Sequence, residues 1–235
     1  RGAGTIEFLV DKYRHFYFLE MNTRLQVEHP ITEEVVGVDL VKEQLHVAGG
    51  EALRFKQEDL FQRGHAIECR ICAEDTENGF IPCPGIIRQL TEPNGIGVRI
   101  DSYVYEGYEI PLYYDPMIGK LIVWATNRQF AIERMRRVLY EFKITGLKTN
   151  ISYLRRIMYT PAFVKGEYDT SFLSKYSRSL QRSNGENEEI ENMAMIAAYV
   201  DYLFNLEENS PVRTTDSRPI SRWREFGLQK GVLRI

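Results

Sequence analysis

The stretch from Gly64 to Thr126 places the strongest constraint on what this chain can fold into. It holds four segments rich in β-forming residues, which read HAIECRI, GIIRQLT, GVRIDSYVY and IGKLIVWAT. Pro/Gly turns such as PCPG and EPNG separate them. Short runs of this kind, bounded by turn residues, are typical of β-strands. The middle of the chain is therefore predicted to be dominated by strands.

Strand and helix patterns precede this segment. Residues 5–10 and 16–22 predict the two strands of a hairpin, with the polar turn DKYRH between them. The sequence TEEVVGVDLVKEQLHVAGG then predicts helix. Thr32 and Asp39 are its N-cap candidates, and Gly49–Gly50 is expected to end it.

The C-terminal part is predicted to be mainly helical. The sequence NRQFAIERMRRVLYEFKITG has a helical period. Its inward face is expected to hold Ala131, Met135, Val138, Leu139 and Phe142. Asn150 is expected to cap the next helix, and DTSFLSKY begins a third. The polar stretch 182–192 predicts a linker into a helix that runs to about Leu206, and Trp223 is the one large anchor of the last segment.

Composition and charge exclude several classes of protein. The 235 residues carry a net charge of −3 and are 43% hydrophobic, which is typical of a soluble domain rather than of a general phosphate-backbone binder. No apolar run approaches the ~20 residues that span a membrane, and no secretory leader is visible. We therefore expect neither nucleic acid nor membrane as a partner, and we expect a cytoplasmic location.

One histidine and three cysteines raise the question of a zinc site. His65, Cys69, Cys72 and Cys83 have the spacing H-x3-C-x2-C-x10-C. In a strand, however, Cys72 falls on the opposite face from His65 and Cys69. No glycine lies between Cys69 and Cys72 to form the knuckle turn of a zinc site. Reduced structural thiols are the preferred interpretation.

The sequence EMNTRLQVEHP mixes acids, amides and a guanidinium in alternate positions. In a strand, one face would carry Glu20, Asn22, Arg24, Gln26 and Glu28. The other face, which begins with Met21, is largely apolar and is expected to pack into a core. A half-exposed strand with a hydrated face is the simplest explanation, but the variety of polar groups favours a functional site.

The first chemistry that this row indicates is metal binding. A hairpin that turns between Tyr13 and Arg14 places Glu7 opposite Glu20, and like charges directly opposite one another are unfavourable. A cation between them removes the conflict, and Mg²⁺ is usually held by one or two carboxylates together with substrate phosphates. Asn22 offers a further oxygen. These residues predict an oxygen-ligated metal and a phosphorylated substrate.

The second chemistry is anion binding next to a base. Arg24 can hold a planar anion through two parallel hydrogen bonds. Glu28 can accept a proton, and a nearby Arg24 would favour its ionised form. Metal ligands, an anion clamp and a base in this order suit a reaction that joins ATP to a small oxyanion.

The chain resembles biotin carboxylases over roughly residues 1–180. The motifs that carry the resemblance are RGAGTIEFLV, EMNTRLQVEHP, RGHAIECRICAED, FIPCPGII, GVRIDSYVYEGYEIPLYYDPMIGKLIVWA and GLKTNISYLRRIM. It implies an α+β fold: the C-terminal part of an ATP-grasp domain in residues 1–50, joined to the mainly antiparallel β plus helices C-terminal domain of biotin carboxylases in residues 51–180. Residues 181–235 would form a linker, a helix and a C-terminal extension.

The resemblance also implies roles for individual residues in making carboxybiotin from ATP, bicarbonate and biotin. The implied set is Glu7, Glu20 and Asn22 for Mg²⁺ or Mn²⁺, Arg24, Gln26 and the Val27 backbone for bicarbonate, Glu28 as the general base, Arg99 for the biotin enolate, and Leu9 for the adenine pocket. From the residues alone, Arg99 would be a strand residue that forms a surface ion pair with Asp101.

The family further implies a set of partners. These are a biotin carboxyl carrier domain or protein, a second copy of the chain in a homo-oligomer, and a carboxyltransferase subunit of the kind found in acetyl- or propionyl-CoA carboxylases. The family's glycine-rich lid, its ATP-binding lysines and a Met-Lys-Met biotin-attachment sequence are missing from these 235 residues. We therefore expect a fragment of a longer enzyme, inactive by itself, with biotin on another domain or chain. Two alternatives stay open: another ATP-grasp ligase that does not use biotin, and a non-catalytic assembly module built on residues 127–235.

Overall fold

The computed structural model describes residues 1–181 and 193–202. The chain divides into two compact units, residues 1–182 and 183–235. In the second unit, residues 193–202 are helical, as the sequence predicts for that range. The predicted linker at 182–192 and the Trp223 segment lie outside the described residues. Across the part of the chain that is described, no helix is both long and apolar enough to cross a membrane.

The first unit opens with the predicted hairpin. Strands β1 (Thr5–Val10) and β2 (Phe16–Asn22) pair antiparallel. The Asp11 carbonyl accepts from the Arg14 N–H at 3.0 Å within the turn, and Arg14 has a positive φ of 68°. Met21 is 57% exposed, so the predicted burial of its row is wrong. The physical reason is that β1 and β2 form a two-stranded sheet of their own, which leaves their apolar side chains in contact with solvent.

Two short helices follow instead of one long one. Helix α1 (His29–Val36) ends at Gly37, which is left-handed, and α2 (Leu40–Ala48) begins at Asp39. The Asp39 carboxylate accepts from the Lys42 N–H at 2.8 Å, which confirms Asp39 as an N-cap. Thr32 lies inside α1, so its prediction as a cap is wrong. Pro30 in the first turn favours the earlier start because its ring fixes a helical φ.

The predicted strand-rich segment forms one central sheet and several short pairs. Its strands are β3 (His65–Cys72), β4 (Glu74–Asp75), β5 (Ile81–Pro82), β6 (Gly85–Ile86), β7 (Gln89–Thr91), β8 (Val98–Ser102), β9 (Glu109–Ile110) and β10 (Met117–Ala125), and β11 (Lys143–Thr145) follows the next helix. Strand β10 lies between β3 and β8, and both neighbours are antiparallel to it. The short strands pair as β4 with β5, β6 with β9, and β7 with β11.

Four helices complete the first unit. They are α3 (Arg128–Glu141), α4 (Ile151–Tyr159), α5 (Pro161–Lys165) and α6 (Phe172–Gln181). All five residues predicted for the inward face of α3 are buried. Asn150 precedes α4 as predicted, but its side chain does not cap the helix. Instead it accepts from the Cys72 N–H at 2.9 Å and donates to the Arg70 carbonyl at 3.0 Å, which ties α4 to the end of β3.

The two faces of the central sheet have opposite character because side chains alternate along its strands. Ile67, Cys69 and Ile71 of β3 belong to the buried core with α3. Arg70 and its cross-strand neighbour Lys120 lie on the other face, where α1 packs against β3 and β10. This polar layer between α1 and the sheet positions the candidate site.

The core on the opposite face gives a direct stability prediction. Leu121→Ala should lower the free energy of unfolding by about 2–5 kcal/mol, because Leu121 is fully buried at the centre of β10 and its loss leaves a cavity. The matched control is Leu112→Ala, since Leu112 is 65% exposed and should change stability by about 0.5 kcal/mol or less. Urea denaturation of both variants measures the difference, and equal losses would contradict this assignment of the core.

Candidate functional site

The two predicted metal carboxylates face each other across the hairpin. Glu7 pairs directly with Glu20 in the strand register, as predicted, but the predicted turn between Tyr13 and Arg14 is wrong. Val10 pairs with Phe16, which centres the turn on Tyr13, and a register shift between Glu7 and Phe8 brings the two acids opposite each other. The Asn22 amide nitrogen donates to Glu7 Oε1 at 2.8 Å and to Glu20 Oε1 at 3.2 Å, and Gln26 Nε2 donates to Glu7 Oε1 at 2.6 Å. Two opposed carboxylates with only amide donors between them fit a divalent cation. Asn22 would ligate through its oxygen only after its amide turns over.

The predicted row does not continue as a strand to Glu28. Strand β2 ends at Asn22, and residues 23–28 form a loop that leads into α1. The prediction of a single alternating face is therefore wrong beyond Asn22. The helix start at His29 and Pro30 turns the chain away from the sheet, and the loop brings Gln26 back onto Glu7.

A cavity of about 930 Å³ collects most of the predicted polar residues. Glu7, Arg24, Gln26 and Glu28 line it, together with residues of α1, of α2 and of the segment before β1. Arg24 is exposed and donates to the Leu25 carbonyl at 3.3 Å, which leaves donors available for an anion. Leu9 is 56% exposed and is not one of the residues that line this cavity.

Glu28 forms an ion pair that the sequence did not indicate. Its carboxylate accepts from Arg70 Nη2 at 2.8 Å, and both side chains are 52% exposed. The predicted partner, Arg24, is not the cation that the structure pairs with Glu28. Arg70 stands 42 positions away on β3, and no local pattern could have indicated the contact. An exposed pair of this kind adds little stability.

The backbone at Val27 is held by the central sheet. Lys120 Nζ donates to the Val27 carbonyl at 3.2 Å and lies 3.2 Å from Asp101 Oδ2. Burial by itself raises the pKa of Asp101, but hydrogen bonds from Arg99 and Lys120 hold that pKa below its usual value. The polar layer therefore connects the predicted bicarbonate loop to strands β8 and β10.

The Arg99 guanidinium binds carboxylates in another part of this polar layer. Its Nε and Nη2 donate to the two oxygens of Asp101 at 2.7 and 2.9 Å, and its Nη1 donates to Glu33 Oε2 at 2.7 Å. The hydrogen bond to Asp101 raises the pKa of Arg99. The ion pair with Asp101 that the residues alone predicted is thus confirmed, and the guanidinium is joined to α1 as well.

Glu68 is an acid that the sequence analysis did not single out. It lies on β3, two residues before Arg70 and on the same face. Its Oε2 is buried and has no hydrogen-bond partner among the described atoms. Burial raises the pKa of Glu68 to about 7, against the opposing influence of Lys120 and Arg70. A buried carboxyl group with a raised pKa beside a polar cavity makes Glu68 a candidate functional residue.

The His65 and cysteine set does not converge on one point. His65 Nε2 lies 3.2 Å from Arg128 Nη1, and burial together with Arg128 lowers the pKa of His65. Burial raises the pKa of Cys69 and of Cys72 to about 12 each. Among the described residues, no group of three or more His, Cys, Asp or Glu side chains is arranged to hold a metal.

Two family models match the chain. "Carbamoyl-phosphate synthase L chain, ATP binding domain" matches residues 1–56, and "Biotin carboxylase C-terminal domain" matches residues 68–175. The second match covers most of the central sheet, α3 and α4, and the first covers the acid pair and its loop. The chain belongs to the biotin carboxylase family.

Curated relatives are similar to this chain over most of its length. The biotin carboxylase of Nostoc is 56% identical over 177 residues, which are 75% of this chain and 40% of that protein. A pyruvate carboxylase subunit of Methanothermobacter thermautotrophicus is 58% identical over 76% of this chain and 36% of that protein. The chain thus spans about two fifths of the length of these curated relatives.

Solved structures show the same fold. The biotin carboxylase domain dimer of Hydrogenobacter thermophilus 2-oxoglutarate carboxylase, in complex with MgADP, ADP and bicarbonate, gives a TM-score of 0.76 at 45% identity over 78% of this chain and 40% of that one. The biotin carboxylase subunit of a pyruvate carboxylase gives a TM-score of 0.76 at 44% identity, over 78% of this chain and 41% of that one. The α+β fold predicted from the sequence is confirmed by these neighbours.

Proposed function

We propose that a longer chain containing this sequence is a biotin carboxylase, which uses ATP and bicarbonate to carboxylate biotin on a carrier protein. The observation that carries the proposal is the Glu7–Glu20 pair, which a loop with Arg24 and Glu28 joins to a biotin carboxylase C-terminal domain. The relatives with MgADP and bicarbonate support the choice of ligands. Activity is assigned to the longer chain because this one covers about two fifths of its relatives.

The hairpin residues would hold the metal. Glu7 and Glu20 supply carboxylate oxygens for Mg²⁺ or Mn²⁺, and Asn22 supplies an amide oxygen once its side chain turns over. A divalent ion held by these residues would neutralise negative charge that develops on the phosphates during transfer. Gln26, which donates to Glu7, links the metal carboxylates to the bicarbonate loop. Leu9 stays a prediction for the adenine pocket.

The loop before α1 would bind and deprotonate bicarbonate. Arg24 and Gln26 offer donors on the cavity wall, and the Val27 backbone is fixed by Lys120. Glu28 takes the bicarbonate proton as general base. The resulting dianion attacks the γ-phosphorus of ATP and yields carboxyphosphate and ADP. Carboxyphosphate then breaks down to CO₂ and phosphate, the phosphate removes the N1 proton of biotin, and the N1 nitrogen attacks CO₂.

The biotin enolate needs a cation near the base, and two arginines are candidates. The resemblance suggested Arg99, whose donors are already shared between Asp101 and Glu33. The geometry favours Arg70, which contacts Glu28 and has donors left over. We therefore propose Arg70 for the charge-stabilising role and Arg99 for joining α1 to the sheet.

The proposed roles of Arg70 and Arg99 can be distinguished by comparing two variants. In the full-length enzyme, Arg70→Ala should slow biotin carboxylation by about 10²–10³-fold, the usual loss for one charge-stabilising donor. Arg99→Ala should instead lower the melting temperature, because it leaves the largely buried Glu33 carboxylate without its cation. Biotin-dependent and biotin-independent ATP cleavage and thermal melting are measured on both. If Arg99→Ala loses only the biotin-dependent step and melts normally, the assignments are reversed.

The acyl-CoA carboxylase context is part of the same proposal. Its partners would be a biotin carboxyl carrier, a second copy of the chain and a carboxyltransferase subunit. The relatives named for pyruvate and 2-oxoglutarate carboxylases supply the rival context. A reconstituted transfer assay distinguishes them, since acetyl-CoA or propionyl-CoA accepts the carboxyl group in one context and a 2-oxo acid accepts it in the other.

The function itself is tested with the full-length enzyme, bicarbonate, Mg·ATP and free biotin. We expect phosphate release to rise when biotin is added and to stop without bicarbonate. Phosphate release at the same rate with and without biotin would favour another ATP-grasp ligase. Stable binding to a carboxyltransferase without any ATP cleavage would favour the assembly module.

A further inference from the structure

The polar layer between α1 and the sheet contains one carboxyl group with no assigned purpose. Glu68 and Arg70 share a face of β3, and the register sets Ile122 and Lys120 of β10 beside them. On the next strand, β8, Asp101 lies beside Lys120. Glu68, Arg70 and Glu28 also line a second cavity, of about 470 Å³, together with His65 and Arg128.

Every cation near Glu68 is already bound to another group. Arg70 donates to Glu28 at 2.8 Å, and Lys120 is shared between the Val27 carbonyl and Asp101, at 3.2 Å each. Arg128 contacts His65 and donates to the Phe163 carbonyl at 2.6 Å. Glu68 Oε2 is left buried without a partner among the described atoms.

A buried oxygen without a partner is tolerable on a neutral carboxylic acid and costly on a carboxylate. The pKa of Glu68 is accordingly raised to about 7, chiefly by burial, with a smaller contribution from the negative charges of Glu28 and Asp101. Lys120 and Arg70 oppose the shift, so they are the cations that an ionised Glu68 would attract. These are the same two side chains that hold Glu28 and the Val27 carbonyl.

We propose that Glu68 is a positioning residue for the base Glu28. While Glu68 is neutral, Arg70 stays bound to Glu28 and Lys120 stays bound to the Val27 carbonyl. When Glu68 ionises, it attracts both cations away from these partners. The proposal rests on the proposed function in one respect, that Glu28 is the base of the reaction. The competition for the two cations is independent of that role.

The competition can be measured on this chain without any activity. Carboxyl carbons are labelled with ¹³C in all glutamates, and their NMR shifts are followed from pH 4 to 9. We expect one buried glutamate to titrate near neutral pH and to vanish in Glu68→Gln. The Glu28 signal, assigned with Glu28→Gln, should show a second inflection at the same midpoint, and that inflection should be lost in Glu68→Gln. A Glu68 midpoint near the ordinary value of about 4.3, or a Glu28 signal that does not follow it, overturns the proposal.

The consequence for the reaction is measured on the full-length enzyme. Bicarbonate-dependent ATP cleavage should fall as the pH rises through the Glu68 midpoint, by about tenfold for each pH unit beyond it. Glu68→Gln should keep at pH 8.5 most of the rate it has at pH 6.5, because a glutamine cannot ionise. The matched control is Glu74→Gln, since burial also raises the pKa of Glu74 and its position on β4 is outside the polar layer.

The outcomes separate this inference from the proposed function. If wild type and Glu68→Gln lose activity in parallel at high pH, the positioning role is overturned. The same holds if Glu74→Gln reproduces the change seen with Glu68→Gln. If the full-length enzyme shows no biotin carboxylase activity, the proposed function fails, and the wild-type NMR titration alone decides whether Glu68 and Glu28 are coupled.

Discussion

Replacing Glu28 by alanine in the full-length enzyme is expected to slow bicarbonate-dependent ATP cleavage by about 10²–10⁴-fold, the usual contribution of a positioned general base. The affinity for Mg·ATP should change little, because the proposed metal carboxylates Glu7 and Glu20 belong to the hairpin, whereas Glu28 lies at the end of the loop, next to α1. Stability should also change little, because the pair that Glu28 forms with Arg70 is half exposed.

The matched control for Glu28→Ala is Glu141→Ala. Glu141 also forms an exposed pair with an arginine at 2.8 Å, on the outer surface of α3, and no proposed step uses it. Steady-state phosphate release and nucleotide titration calorimetry are measured for both variants. A Glu28→Ala enzyme that turns over within about threefold of wild type would remove Glu28 from the role of base, whereas an equal loss in Glu141→Ala would indicate a general effect of breaking a surface pair.

Glu20→Gln is expected to give the second large effect, a loss of at least about 10²-fold in ATP cleavage, because a bound metal supplies several kcal/mol of charge stabilisation. The folded chain should tolerate the change or gain about 0.2–1 kcal/mol, since the substitution removes a like charge directly opposite Glu7. Activity and stability should therefore move in different directions. The rate should also require more Mg²⁺ to reach saturation.

Glu109→Gln is the control for this second prediction. Glu109 is an exposed strand glutamate on β9, and Ile86 rather than another acid lies opposite it. Its replacement should alter neither the Mg²⁺ requirement nor the melting temperature. If Glu20→Gln loses stability and activity together, the Glu20 side chain is part of a hydrated strand face rather than of a metal site.

Only part of the structure could be read from local sequence. The pairing of Glu7 with Glu20 was predicted correctly, but the turn does not set it: Val10 pairs with Phe16, which centres the turn on Tyr13, and a register shift between Glu7 and Phe8 brings the two acids opposite each other. The amphipathic period identified the buried face of α3. The second inference depends only on residues that are close in sequence, whereas the shift beside Glu7 had no signal in the turn residues.

The failures have a common cause in contacts between distant residues. The alternation after Asn22 suggested a strand, but α1 packs on the sheet and the chain turns into a loop before it. Burial of the Met21 row was expected from its apolar character, yet the hairpin forms a separate two-stranded sheet. Hydrophobicity indicates that a face can be buried, but not which element covers it.

The sequence by itself determined the family and the strand-rich middle of the chain, because motifs, turn residues and side-chain periodicity are local properties. Only the tertiary structure decided which cation reaches the proposed base. Arg70 contacts Glu28, which lies 42 positions earlier in the sequence, and Arg99 forms ion pairs with Asp101 and Glu33. The tertiary structure also distinguishes Glu68 from the other acids, because burial raises its pKa. The pKa of a carboxyl group is set by the side chains and solvent around it, and folding alone arranges these.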